Sequence, residues 1–268
     1  MVAFPLTSAL DVDVVVLESI DSTNRFLRET PGSGSRFHVA VTTHQTAGRG
    51  RMDRVWVCRP GQALALSVAF PQGALPAPLT PDVLQLVALA SGAVVADAVA
   101  QWVTESVTVK WPNDVLIGGK KVAGILGEVA SDGRVIVGVG LNVSVPEGDL
   151  PTPTATSLHL HGPVDQSHVD PIAHSIVRGF LDLYPRLSGG LTGVLRDRVI
   201  SRLDTLGKAV RVDFPDGESV DGIATALTDV GALVVAPTNG AKDVTVTAGD
   251  VWHLRLHDTG SVTGGYAG

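Results

Sequence analysis

The sequence predicts an α+β protein: a mixed, largely antiparallel sheet backed by helices on one face, followed by a small β barrel. Three observations carry that expectation. Between residues 107 and 143, β-branched runs follow one another through Gly-Gly and Asp-Gly turns, as in a strand meander. A long apolar helical stretch, from about Asp82 to Val103, interrupts the strands instead of alternating with them, which argues against a doubly wound parallel sheet. From Gly207 onward, five short β segments follow each other within about fifty residues, the spacing of a small barrel.

Taken in order, Asp13–Glu18 is a β-branched run and reads as a strand. Asp21-Ser22-Thr23-Asn24 supplies N-cap chemistry for a short helix, Arg25–Glu29, and Thr30–Arg36 turns on Pro31, Gly32 and Gly34. Phe37–Thr43 and Ala63–Phe70 read as strands, and Pro71–Pro81 is a proline-rich connection to the long helix. Val107–Trp111, Val115–Ile117, Lys121–Val129 and Arg134–Val143 are the meander. After a loop over Pro146–Pro163, Pro171–Leu187 and Gly193–Leu203 look helical. The five late strands are Val210–Phe214, Ser219–Leu227, Leu233–Ala236, Val244–Thr247 and Val251–Arg255. A division into 1–203, 204–257 and a Gly/Ser/Thr-rich, disordered tail at 258–268 follows.

Composition narrows the function. A chain of 268 residues with 44% hydrophobic and only 4% aromatic content can bury a large core built mainly of Val, Ala and Leu. Net charge of −7 argues against a surface that coats nucleic acid. The single cysteine, Cys58, excludes an internal disulfide framework and a Cys-rich metal site. Met1–Asp13 lacks the basic and apolar regions of a signal peptide, and Gln85, Asp97 and Gln101 interrupt the apolar stretch Val83–Val103. A soluble, cytoplasmic protein without membrane contact is expected.

Against that acidic background, Gly48-Arg49-Gly50-Arg51-Met52-Asp53-Arg54-Val55-Trp56 gathers three arginines, two glycines and a tryptophan. Glycines admit close backbone approach, and guanidinium forks match carboxylate and phosphate oxygens, so the loop is suited to a small anionic ligand. Ser22-Thr23-Asn24 fits two roles, helix capping or hydrogen bonding to a ligand. Gln45 adds an amide, Lys110-Trp111-Pro112-Asn113-Asp114 ends a strand with amide and carboxylate groups, and Gly138-Val139-Gly140-Leu141-Asn142 thins a strand so that a flat ring can lie on it. Neither a P-loop nor a Rossmann fingerprint is present. His159, His161, His168 and His174 lack the acidic or cysteine partners of a metal site, so no metal site is expected and changing His159 or His161 is expected to be silent.

Taken together, these segments and Lys121-x-Ala123-Gly124-Ile125-Leu126 resemble, in order, the motifs of biotin protein ligases from about Asp13 to Arg255. The resemblance implies a class II synthetase-like catalytic core with an SH3-like carboxy-terminal module. It also implies the reaction: the biotin carboxylate attacks the α-phosphorus of ATP, pyrophosphate leaves, and a lysine of a carboxylase's biotin carrier domain then takes the biotinyl group from biotinyl-5′-AMP. In that reading Ser22, Thr23, Asn24, Gln45 and Gly48 hold the ureido ring, and the apolar tail lies on Trp, Gly and Ala residues with Gly124 leaving room. Arg49, Arg51 and Lys121 neutralise the reacting anions. Arg54, Trp56, Asn113, Asp114 and Asn142 serve the nucleotide, which brings Mg2+ with it. The arginine loop is expected to fold over bound ligand. Only about twelve residues precede the first strand, so no DNA binding is expected. A lipoate-type ligase and a non-catalytic biotin or nucleotide sensor are the alternatives, separated by which acid, if any, supports adenylate formation.

Overall fold

The structure, a computed structural model, describes residues 2–32, 36–51, 54–73, 75, 79–214, 216–247, 250–256 and 262–264. It opens with a four-residue helix, α1 (Pro5–Ser8), that the sequence did not announce. Two of its backbone N–H groups, of Leu6 and Thr7, donate to the Asp170 carboxylate at 2.8 and 2.9 Å, and the Thr7 hydroxyl adds a third bond at 2.7 Å. Helix starts leave such donors unpaired, and here a buried carboxylate from far along the chain accepts them.

The strands β1 (Asp13–Val16) and β2 (His38–Thr42) pair in parallel, joined through α2 (Thr23–Glu29). The next two strands, β3 (Gln45–Arg49) and β4 (Val55–Cys58), form a separate two-stranded ribbon where the sequence reads as a loop. Glycine and arginine have low strand propensity, so this ribbon carries no local signal. Next come β5 (Ala63–Ala69), α3 (Pro81–Val99), β6 (Val107–Lys110), β7 (Asp114–Ile117), β8 (Lys120–Val129) and β9 (Val135–Asn142). The β7–β8 hairpin turns on Gly118 and Gly119, both at positive φ, which is the backbone a two-residue loop requires. The main sheet runs β1-β2-β5-β9-β8-β7-β6, antiparallel except for its first pair, so it is mixed as expected.

Helix α3 stops at Val99, short of the expected Val103, because the chain turns at Ala100 and packs Trp102 and Val103 back on the core. Two further helices, α4 (Val169–Leu183) and α5 (Gly193–Arg202), pack with α3 on one face of the sheet. The α-helical part of the predicted Pro171–Leu187 ends at Leu183, since Pro185 offers no N–H for the next bond, and a 3-10 segment follows over Tyr184–Gly189. By length and composition α3 could cross a bilayer, yet it is buried in this core.

A second sheet follows, built from β10 (Ala209–Asp213), β11 (Ser219–Leu227), β12 (Leu233–Pro237), β13 (Val244–Val246), β14 (Asp250–Leu256) and β15 (Val262–Gly264). Its order is β13-β12-β11-β10-β14-β15. The sixth strand falls within the expected tail at 258–268 and pairs with Leu254–Leu256; the rest of that tail lies outside the described residues. This sheet shares the core of the first. Trp111 is fully buried; its indole N–H donates to the Gly231 carbonyl at 2.9 Å, and its backbone N–H to the Thr205 hydroxyl at 2.9 Å.

Candidate active site: a cavity on the small-residue face of the sheet

Strand side chains alternate between the two faces of a sheet. On β5, Leu64, Leu66, Val68 and Phe70 point into the helix-covered core, whereas Ala63, Ala65, Ser67 and Ala69 point the other way. On β9, Val135, Val137, Val139 and Leu141 face the core, and Ile136, Gly138, Gly140 and Asn142 face the opposite side, Ile136 packing with Leu27 of α2. In register, Ala65, Gly140 and Gly124 form one row across three strands, and Ser67, Gly138 and Leu126 form the next. This second face is roofed by α2 and the β3–β4 ribbon, leaving a cavity of about 230 Å³ between floor and roof.

At one end of the cavity, Ser22 does both jobs that its position allows: it caps α2, with its hydroxyl accepting from the Arg25 N–H at 3.4 Å, and it lines the cavity. Gln45 Oε1 accepts from the Thr23 N–H at 2.9 Å and from the Thr23 hydroxyl at 3.2 Å. That fixes the amide, whose nitrogen lies over Gly48, where any Cβ would overlap it. Asn24 Oδ1 accepts from the Ser67 hydroxyl at 2.6 Å, and its Nδ2 donates to the Leu126 carbonyl at 3.3 Å and to Glu128 at 2.6 Å. Asn24 is thus held by protein partners on both sides. A Cβ at Gly138 would overlap its carboxamide. These groups are nearly all buried, so the network is rigid and each polar atom has a set direction.

The floor meets a ring, as the glycine-thinned strand anticipates, and the ring is the indole of Trp56. A Cβ at Gly140 would overlap it, Ala63 and Ala65 pack against it, and the Lys121 ammonium lies 5.8 Å from its centroid. Trp56 Nε1 is buried and has no acceptor among the described residues. The loop before it closes through backbone bonds from the Gly50 N–H to the Arg54 carbonyl at 2.6 Å and from the Arg54 N–H to the Arg51 carbonyl at 3.2 Å. Met52 and Asp53, at its tip, lie outside the described residues, as does any test of whether the loop folds over ligand.

At the other end, the Trp111–Pro112 cis peptide leads into the β6–β7 turn. Asn113 is stitched to β8: its Nδ2 donates to the Ile125 carbonyl at 2.7 Å, and its Oδ1 accepts from Arg51 at 3.4 Å. Lys121 pairs with Asp114 at 2.9 Å, both side chains largely shielded from solvent. Asn142 Nδ2 donates to the Thr156 carbonyl at 2.9 Å.

All the residues singled out from sequence line this one cavity except Gly48, which lies beneath Gln45 and contributes through its backbone fit. The sequence reading missed Ser67, Lys110 and Val251. Ser67 is the one polar residue in the run Ala63–Phe70, a signal that was available; Lys110 opens a motif already noted but was given no role there; Val251 reaches the cavity from the second sheet and had no local signal. Arg49, Arg51, Arg54, Lys110 and Lys121 face the cavity against one carboxylate, Asp114, among the described lining residues. Among the described lining residues the one carboxylate is already paired to Lys121, which makes no cage for a resident metal, and no metal-binding cluster of His, Cys, Asp or Glu occurs among the described residues. The arrangement is suited to bringing two anions together over a flat, partly polar ligand.

Comparison with known proteins agrees with this geometry. Residues 16–145 match the model of the biotin/lipoate A/B protein ligase family, and residues 205–254 match the biotin protein ligase C-terminal domain. The chain is 36% identical to a biotin–[acetyl-CoA-carboxylase] ligase of Mycobacterium tuberculosis over 90% of its length and 88% of the relative's. It is 33% identical to the enzyme of the same name from Paracoccus denitrificans, over 85% of this chain and 95% of that one. Among solved structures, a biotin protein ligase from Aquifex aeolicus in complex with biotin and ATP superposes with a TM-score of 0.72 at 26% identity, covering 90% of this chain and 99% of that one.

Proposed function

This chain belongs to the biotin/lipoate A/B protein ligase family, and from that premise we infer that it activates biotin with ATP and transfers it to a carboxylase. In the first step a biotin carboxylate oxygen attacks the α-phosphorus, the bond from that phosphorus to the bridging oxygen breaks, and pyrophosphate leaves with the electron pair. In the second, a carrier lysine amine attacks the acyl carbon of biotinyl-5′-AMP, loses a proton, and AMP departs.

The observation that carries this reading is the charge of the cavity: five cationic side chains against one carboxylate among the described lining residues, in a chain whose net charge is −7. Two anions about 4 Å apart repel by roughly 4 kcal/mol at an effective dielectric of 20, so they meet only where cations are already fixed. Arg49, Arg51 and Lys121 take that role for the carboxylate and α-phosphate, and Arg54 for the outer phosphates. Preorganised charge of this kind accelerates reaction without a protein nucleophile. At the neutral end, Ser22, Thr23 and Gln45 offer the donors and acceptors that a ureido group needs, and the unpartnered Trp56 N–H is a further donor. The small-residue row Ala65, Gly140 and Gly124 seats the Trp56 indole, which offers the apolar tail a flat wall. Asn113 and Asn142 flank the nucleotide, while Asp114 sets the position of the Lys121 ammonium. Magnesium enters as part of the nucleotide substrate, a role that needs no protein cage. The acceptor is a biotin carrier domain, and the second sheet is the SH3-like module of this arrangement.

The test is exchange of labelled pyrophosphate into ATP, with biotin, lipoate and octanoate in parallel. Exchange with biotin alone is expected. Exchange with lipoate instead would keep the chemistry and overturn the substrate, and none with any acid would leave a sensor.

A further inference from the structure

Outside the cavity, three side chains form a hydrogen-bonded line that the reaction scheme does not use. His161 Nδ1 lies 3.0 Å from Glu105 Oε1, and His161 Nε2 lies 2.7 Å from the Thr156 hydroxyl. Acid, imidazole and hydroxyl in this order are the parts of a nucleophilic triad. Thr156, however, is only 2% exposed, so no substrate reaches its hydroxyl. What does reach the site is its peptide. The Thr156 N–H donates to the Lys121 carbonyl at 2.7 Å, and the Thr156 carbonyl accepts from Asn142 Nδ2 at 2.9 Å. The Lys121 N–H in turn donates to the Thr154 carbonyl at 2.7 Å, so the segment is laced to β8 from both sides.

We propose that Glu105 and His161 position Thr156, and through its peptide hold Lys121 and Asn142 in register for the nucleotide. The reaction it serves rests on the ligase reading above. With a neutral imidazole, Nδ1–H donates to Glu105 and Nε2 accepts the Thr156 O–H; if the ring gains a proton, the hydroxyl rotates and accepts instead. The line therefore holds in both states. The hydrogen bond from His161 keeps the Glu105 carboxyl below the ordinary carboxylate range, which preserves its charge as the anchor. This role departs from the expectation that changing His161 is silent: its partners lie 56 and 5 residues away, and no spacing pattern announces them.

The experiment compares Thr156→Val, Thr156→Ser and His161→Ala in the full chain, measuring ATP and biotin affinities separately by calorimetry, adenylation kcat, and Tm. For Thr156→Val and His161→Ala, ATP affinity and kcat are each expected to fall about tenfold, the scale of one lost hydrogen bond transmitted to binding. Biotin affinity is expected to stay within about twofold, and Thr156→Ser to restore the wild-type values. Wild-type ATP affinity and kcat in Thr156→Val would overturn the proposal. So would a parallel loss of biotin affinity and Tm, the mark of general loosening, or a Thr156→Ser as impaired as the valine. Failure of the wild-type chain to exchange pyrophosphate with biotin would sink the ligase reading alone, because the ATP affinities still judge the relay.

Discussion

The two faces of the central sheet are made by the same strands and could hardly differ more. On β5 and β9 the core face is filled by Leu64, Leu66, Val68, Val135, Val137, Val139 and Leu141, with Phe70 just beyond β5, while the other face carries Ala, Ser, Gly and Asn along the cavity and one large residue, Ile136, packed with Leu27 of α2. Where bulk is present, the strands fill the space themselves; where it is withheld, the Trp56 indole and the Asn24 carboxamide come down onto the backbone and border the cavity. The difference teaches that a binding face can be marked by the size of every second residue, before any charged group is considered. The charges then come from elsewhere: the ribbon, the β6–β7 turn and the start of β8.

Substitutions on each face sharpen the contrast. The largest effect is expected on the filled face: Leu66→Ala should cost about 2–5 kcal/mol in chemical unfolding, as for other fully buried leucines, with biotin affinity of the folded protein unchanged. Impaired biotin binding at full stability would break the division. On the open face, Lys121→Ala and Arg51→Ala should each slow adenylation by roughly 10²-fold with little change in Tm, the scale of losing one transition-state charge donor. Near-normal rates in either variant would remove that residue from the site.

A smaller effect follows from Gly140→Ala, whose added methyl overlaps the Trp56 indole. Displacing the ring should weaken biotin binding by about 1–3 kcal/mol, the usual scale of overpacking, as calorimetry would measure. Unchanged affinity would mean that the indole does not border the biotin site. Smallest of all, Arg28→Ala removes the 2.8 Å bond to Glu128 that backs Asn24. Both side chains are about a third exposed, so a loss of about 0.2–1 kcal/mol is expected in thermal unfolding. A larger loss would show the Asn24 network reaching further into the fold.

Most of the main sheet was legible in the sequence because its strands are apolar, largely β-branched runs, and Gly118-Gly119 suits a tight two-residue hairpin turn. The β3–β4 ribbon was not legible, since Gln45–Arg49 has the composition of a loop and is a strand only because Val55–Cys58 lies beside it. Within the site, groups that belong to motifs were visible, whereas Val251 was not, because the second sheet brings it there from far along the chain.

By itself, then, the sequence determined what is encoded locally: which residues alternate, where the chain turns, and which short segments carry arginine, lysine and amide groups. Tertiary structure alone decided which of these meet. Asp170 finds the Thr7 N–H across 163 residues, and the Trp111 indole finds the Gly231 carbonyl across 120. Neither pairing leaves a periodic trace in the sequence. Each is settled when the core closes, because a buried carboxylate or indole N–H must find a partner in whichever segment the packing brings alongside.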